Sequence, residues 1–131
     1  MPEQRNTYKG SPLRSWARLV LVGADGTTQQ VEALADTGNP CALIVGQALL
    51  RQFNLGLAPG MSTNFGALDG GWLRIQIPEL AFDQTILAYG SDAVLQAAQA
   101  SHTDFAGLAG LPLLRKFEYG GNDDSFWLRS P

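Results

Sequence analysis

Cysteine is nearly absent from this sequence: among 131 residues only Cys41 carries a thiol, so no disulfide can close within the chain. The fold must be held by packing and hydrogen bonds, and a reducing compartment is compatible with that. Histidine is as scarce, with His102 alone in a polar stretch. No second or third ligand keeps metal spacing with it, so it reads as a surface side chain, and neither a metal nor another cofactor is expected. Basic residues are few and scattered: 9 Lys and Arg against 12 Asp and Glu leave a formal net charge of -3. Without a basic stripe or an interleaved aromatic ladder, no nucleic-acid partner is expected. Apolar runs are short, none approaching the roughly 20 residues of a membrane-spanning helix. The opening Met1-Pro2-Glu3-Gln4-Arg5-Asn6 lacks the basic-then-apolar order of a secretory signal. The expected location is the cytoplasm, unless this chain is a piece of a longer targeted or anchored protein.

Turn formers and apolar side chains are what the sequence has in quantity. Its 15 glycines and 7 prolines cut it into short pieces, while 45% hydrophobic residues suffice for one core. A chain of this length buries roughly two-thirds of the surface it exposes when unfolded. The combination predicts a mainly β (all-β class) domain over residues 15–131, with short helices. Residues 1–14 are polar and read as a flexible N-terminal segment.

Residues 15–23 and 27–35 predict a hairpin about Ala24-Asp25-Gly26, with Val31, Ala33 and Ala35 on one side of its second strand. Residues 42–45 read as a short buried strand. Residues 46–53 follow as a two-turn helix with Leu49, Leu50 and Phe53 on one face, stopped at Asn54-Leu55-Gly56. After a loop through Pro59-Gly60, residues 63–77 predict a second hairpin, because Asp69-Gly70 is a preferred tight-turn dipeptide. Gly66, Gly70 and Gly71 leave its tip poor in packing side chains, so it should be mobile. Leu73, Ile75 and Ile77 then alternate with Arg74 and Gln76 into the sheet. A strand over 80–89 and an alanine-rich helix over 91–100, capped by Ser91 or Asp92, come next. A buried strand ending at Gly110, a helix with Pro112 in its first turn and a last hairpin joining 118–119 to 126–128 complete the chain.

The first hairpin delivers Asp36-Thr37-Gly38 to the end of a strand. A strand end holds a carboxylate firmly, Gly38 permits a tight backbone path, and Thr37 can hydrogen-bond across a close contact. Taken alone, the same tripeptide is an ordinary turn. Trp72 reads equally as a cross-strand packing aromatic or as a wall for a substrate. Cys41 reads first as a small buried apolar side chain and second as a redox handle.

Three segments, in order, resemble the single-domain, retroviral-type (retropepsin-like) aspartic proteases and their bacterial and cellular relatives. Ala35-Asp36-Thr37-Gly38 matches the catalytic loop of that family, and Gly66-Ala67-Leu68-Asp69-Gly70-Gly71-Trp72 looks like its glycine-rich flap. Leu108-Ala109-Gly110, followed by residues 111–117, looks like its hydrophobic-hydrophobic-glycine motif and helix. The resemblance covers about residues 16–129.

It implies a closed acidic-protease-type barrel with a flap hairpin and, with one Asp-Thr-Gly per chain, a homodimer. Asp36, Thr37 and Gly38 would be catalytic. The paired Asp36 carboxylates would activate a water, since two like charges in one site keep one member protonated. Thr37 would bond across the dimer, and Gly38 would bond the carboxylates. Ala67, Leu68, Asp69, Gly70, Gly71, Trp72 and Leu108 would line an extended peptide or protein substrate. The C-terminal strand around 126–129 would build an intersubunit sheet, anchored by Trp127. Two departures stand out: Asn39-Pro40 follows the triplet in place of alanine or serine, and Leu111-Pro112 replaces the polar residues that usually lock the helix. Residues 91–103 also form a longer segment than the viral enzymes carry. The alternatives are a non-enzymatic peptide-binding or scaffold module of the same fold, and a small β-domain in which Asp-Thr-Gly is only a turn.

Overall fold

The computed structural model describes residues 2–98 and 105–131. Within them, ten strands and three short α-helices follow in order. The first half holds β1 (Glu3–Thr7), β2 (Trp16–Val22), β3 (Thr28–Asp36), β4 (Leu43–Val45), α1 (Gln47–Phe53), β5 (Leu57–Thr63) and β6 (Gly66–Ile77). The second holds β7 (Phe82–Gly90), α2 (Asp92–Ala98), β8 (Gly107–Gly110), α3 (Leu111–Leu114), β9 (Glu118–Gly121) and β10 (Ser125–Arg129).

Strands β2, β3, β8, β4, β7 and β6 pair in that order, and β6 pairs back onto β2, which closes a six-strand barrel. The fold is thus a mixed α/β one dominated by strands, with a closed barrel and short helices. Period-two alternation in β6 turns Leu73, Ile75 and Ile77 inward, where they join Leu19, Leu21 and Leu43 in a fully enclosed cluster. Each such side chain stabilises by about 1.5–3 kcal/mol, so this cluster dominates the folding energy. A second, smaller cluster gathers Trp16, Leu34, Ile44, Leu68, Leu95 and Leu108. Strand β8 links the two: it runs parallel to β3 and antiparallel to β4, separating two strands that are neighbours in sequence.

The hairpin of β5 and β6 differs from expectation. Thr63 pairs with Gly66, so the turn lies at Asn64-Phe65, and Gly66 takes the left-handed φ of 100° that the turn requires. Asp69 and Gly70 lie within β6, and the expected loop through Pro59-Gly60 is part of β5. The reason is a bulge in β5 between Ala58 and Met61. A side chain at position 70 would strike the Pro59 carbonyl, so Gly70 serves close strand approach instead of a turn.

The N-terminal segment is also more ordered than its polarity suggests, since Glu3–Thr7 forms β1 against β10. Gln4 and Asn6 point inward and are buried. The Gln4 amide donates to the Arg18 carbonyl (2.9 Å) and accepts from the Arg18 N–H (2.7 Å). Its oxygen also accepts from Asn6 Nδ2 at 2.9 Å. A side-chain amide thereby completes the stretch of the β2 edge that no strand covers.

The last hairpin forms as expected, with Leu128 opposite Tyr119. However, β10 lies between β1 and β9, so both of its edges are used within the chain. The intersubunit sheet expected of residues 126–129 has no free edge on that strand. The helix expected over 91–100 is seen as Asp92–Ala98. His102 and residues 99–100 lie outside the described residues.

Two outcomes follow for the terminal strand. Gln4→Ala leaves both Arg18 backbone groups unpaired and should cost about 1–3 kcal/mol in urea denaturation. Glu3 is held down to about 2, from an ordinary 4.5, by hydrogen bonds from Arg5 and then Arg129. A depressed carboxylate contributes fully above its unfolded value and loses that contribution as pH falls. Glu3→Gln should therefore lower the melting temperature slightly at neutral pH, and the gap should close between pH 4.5 and about 2.

Candidate active site

Asp36 ends β3, level with Gly110 of β8, and is half-buried. Its Oδ1 accepts the Gly38 N–H at 3.0 Å, and its carbonyl accepts the Asn39 N–H at 3.1 Å. These two bonds bend the chain back sharply and leave Thr37 and Gly38 exposed. The loop is then sewn to the junction of β8 and α3: Leu111 N–H donates to the Asn39 carbonyl (3.1 Å) and Gly110 N–H to the Ala42 carbonyl (3.0 Å). A Cβ at position 110 would overlap the Cys41 carbonyl and lie 2.7 Å from the Asn39 oxygen, so only glycine fits beneath this loop.

One recess opens beside the carboxylate and a second adjoins it. The first, of about 270 Å³, is bounded by Asp36, Asn39, Ile44, Phe65, Val94 and Leu108. The other, of about 260 Å³, shares Asn39, Ile44, Phe65 and Val94 and adds Met61 and Leu68. Both are mostly apolar. Phe65, at the tip of the hairpin and 56% exposed, borders each of them. A further link joins hairpin and loop: Cys41 Sγ lies 3.7 Å from Met61 Sδ. Burial pushes the Cys41 thiol above its ordinary value, which keeps it protonated and inert near neutral pH.

The expected site residues are brought together only in part. Asp36 and Leu108 share one recess, and Leu68 lines its neighbour. Asp69 and Gly70 instead line a separate recess with Leu50, Arg51 and Asn54. Gly71 is buried against Leu50 and Asn54, Ala67 is exposed, and Trp72 is 43% exposed beside Gly56. Residues that sequence reasoning did not place at the site are Ile44, Met61, Phe65 and Val94. For Phe65 a signal existed, a large apolar residue immediately before a glycine. For Ile44 and Val94 none did, because only the packing of α2 on β4 brings them to the loop. Among the described residues, no group of three or more His, Cys, Asp or Glu side chains is placed to hold a metal ion.

Compared with protein-family models and with curated proteins, the chain matches none. Among the described residues, no helix is long and apolar enough to cross a membrane.

The geometry sets a test of the loop's support. Gly110→Ala should destabilise the fold by about 3 kcal/mol or more, because the clash is with backbone and cannot be relieved by a rotamer change. Chemical denaturation of the variant measures it.

Proposed function

We propose that this chain is an aspartic endopeptidase of the retroviral type, active as a homodimer in which two Asp36 carboxylates meet. The recess shared by Asp36, Leu108 and the hairpin-tip Phe65 carries the reading. It joins a strand-end carboxylate, an apolar wall and a projecting hairpin in one place. The exposure of Thr37 and Gly38 supports it too, since both would face a second copy.

In the reaction, the ionised Asp36 takes a proton from water, and the water oxygen attacks the peptide carbonyl carbon. The protonated Asp36 of the partner gives its proton to the carbonyl oxygen, so a neutral tetrahedral diol forms. One hydroxyl proton then returns to a carboxylate, the amide nitrogen is protonated, and the C–N bond breaks. The β5–β6 hairpin would close over the extended substrate and exclude water.

A second reading, a non-enzymatic peptide-binding module, is favoured by one observation. Among the described residues strand β5 pairs only with β6, which leaves an edge to which an extended peptide could add as a strand.

Cleavage of a diverse peptide library at several pH values decides between them. The expected result is hydrolysis strongest in mildly acidic buffer, with Asp36→Asn lowering kcat by about 10²–10⁴-fold or more at an unchanged melting temperature. Sedimentation at micromolar concentration should show a dimer. Full activity in Asp36→Asn, or a strict monomer, sinks the protease reading, and peptide binding without cleavage selects the second.

A further inference from the structure

Asn39 stands directly after the Asp-Thr-Gly triplet, and its hydrogen bonding is unevenly satisfied. Its N–H donates to the Asp36 carbonyl and its C=O accepts from Leu111, each at 3.1 Å. Its side-chain Oδ1 accepts the Cys41 N–H at 2.9 Å. That last bond also decides which end of the amide is oxygen, because a backbone N–H needs an acceptor. The remaining group, Nδ2, is buried and finds no hydrogen-bond partner among the described residues. The residue as a whole is 8% exposed. Two backbone bonds fix the main chain and one bond pins the side-chain oxygen, so turning the donor toward water would break the bond to Cys41.

A buried donor without an acceptor is costly, and native structures seldom keep one without a use. Asn39 borders both recesses, one of which reaches Asp36, and their other walls are mostly apolar, with Ile44, Leu68, Phe65, Val94 and Leu108 among them and Thr63 and Asn64 the polar members of the second. At about 270 and 260 Å³ each recess is smaller than a pocket for a drug-sized ligand, which suits a single side chain. On the proposed mechanism the β5–β6 hairpin moves to admit substrate, and that movement would give an incoming acceptor access to the buried donor.

We infer that Asn39 Nδ2 is a specificity-determining donor, selecting in extended peptides a residue near the scissile bond whose side chain carries a neutral carbonyl, glutamine or asparagine. A carboxylate is disfavoured there, because it would be desolvated among apolar walls and repelled by Asp36. An all-carbon or thioether side chain fits the space but leaves the donor unpaired. The inference deepens the protease reading but depends only on its peptide-binding half.

The test is a positional-scanning octapeptide library with matched glutamine and methionine members, which are alike in length and volume. It is read in two ways: as kcat/KM with the wild-type protein, and as affinity with the Asp36→Asn protein at neutral pH. Glutamine or asparagine should be preferred over methionine by about tenfold or more at one position, in both readings. Adding Asn39→Asp keeps an acceptor for the Cys41 N–H but removes the donor at neutral pH. In the affinity reading it should bring the glutamine-to-methionine ratio to about one or below. Asn39→Ala should do the same, and a thermal melt of each variant checks folding. Equal use of glutamine and methionine at every position overturns the inference. So does a preference that survives in a folded Asn39 variant, or a variant whose only effect is weaker dimerisation, which would assign the donor to a second copy. Cleavage without glutamine selectivity removes the donor role and leaves the protease reading standing. Glutamine-selective binding without cleavage does the reverse, and no peptide binding at all removes both.

Discussion

Strand β8 lies between β3 and β4, and its end passes beneath the loop that joins them only because Gly110 has no side chain. Much else depends on that close passage. Inserting β8 separates two sequence neighbours and obliges residues 37–42 to arch over its end, which leaves the Asp36 carboxylate at the rim of the barrel. The same passage aligns the Gly110 and Leu111 N–H groups with the Ala42 and Asn39 carbonyls, so the arch is held by backbone bonds. It also carries Leu108 into the smaller apolar cluster that forms the wall beside the carboxylate. Withdraw β8 and the ring opens, the wall is lost, and the arch has nothing to rest on.

The helices are too short to stand alone, and the first turns of α1 and α2 are both held from the junction of β7 and α2. Ser91 Oγ accepts the Val94 N–H at 3.2 Å, which starts α2. The adjacent Asp92 reaches across to accept the Gln47 N–H at 3.1 Å, which starts α1. Ser91 N–H in turn donates to the Val45 carbonyl at 2.9 Å. The starts of both helices and the ends of β4 and β7 are thus one interlocked unit. Its consequence for the site is positional: α2 lies where Val94 and Ala98 wall the recess next to Asp36.

Much of this was readable from local pattern. β-forming residues located β2, alternation located β3 and the second half of β6, proline at a first turn located α3, and the Asp-Thr-Gly triplet lay at a strand end as expected. The errors share one cause. Polar or turn-forming residues were read by what they do in isolated peptides. Gln4 and Asn6 looked like loop, yet the Gln4 amide replaces a missing strand at Arg18 and the Asn6 amide donates to the Trp16 carbonyl. Asp69-Gly70 looked like a turn, yet Gly70 is there because a bulge at Pro59-Gly60 brings the opposing backbone too close for any other residue. Each depends on a partner more than nine residues away.

The sequence by itself determined most strands of the barrel, the single Asp-Thr-Gly per chain and the absence of any disulfide support, since these follow from periodicity, residue identity and count. Only the tertiary structure decided which residues share the space around that carboxylate. Trp72, seven residues after Phe65, lies beside Gly56 and lines neither recess, while Phe65 borders both. Ile44 and Val94, far apart in sequence, meet there through the packing of α2 on β4. It also decided that the Asn39 donor finds no partner among the described residues. Hydrogen-bond satisfaction is a property of all the surroundings of an atom, and a local pattern specifies only the nearest of them.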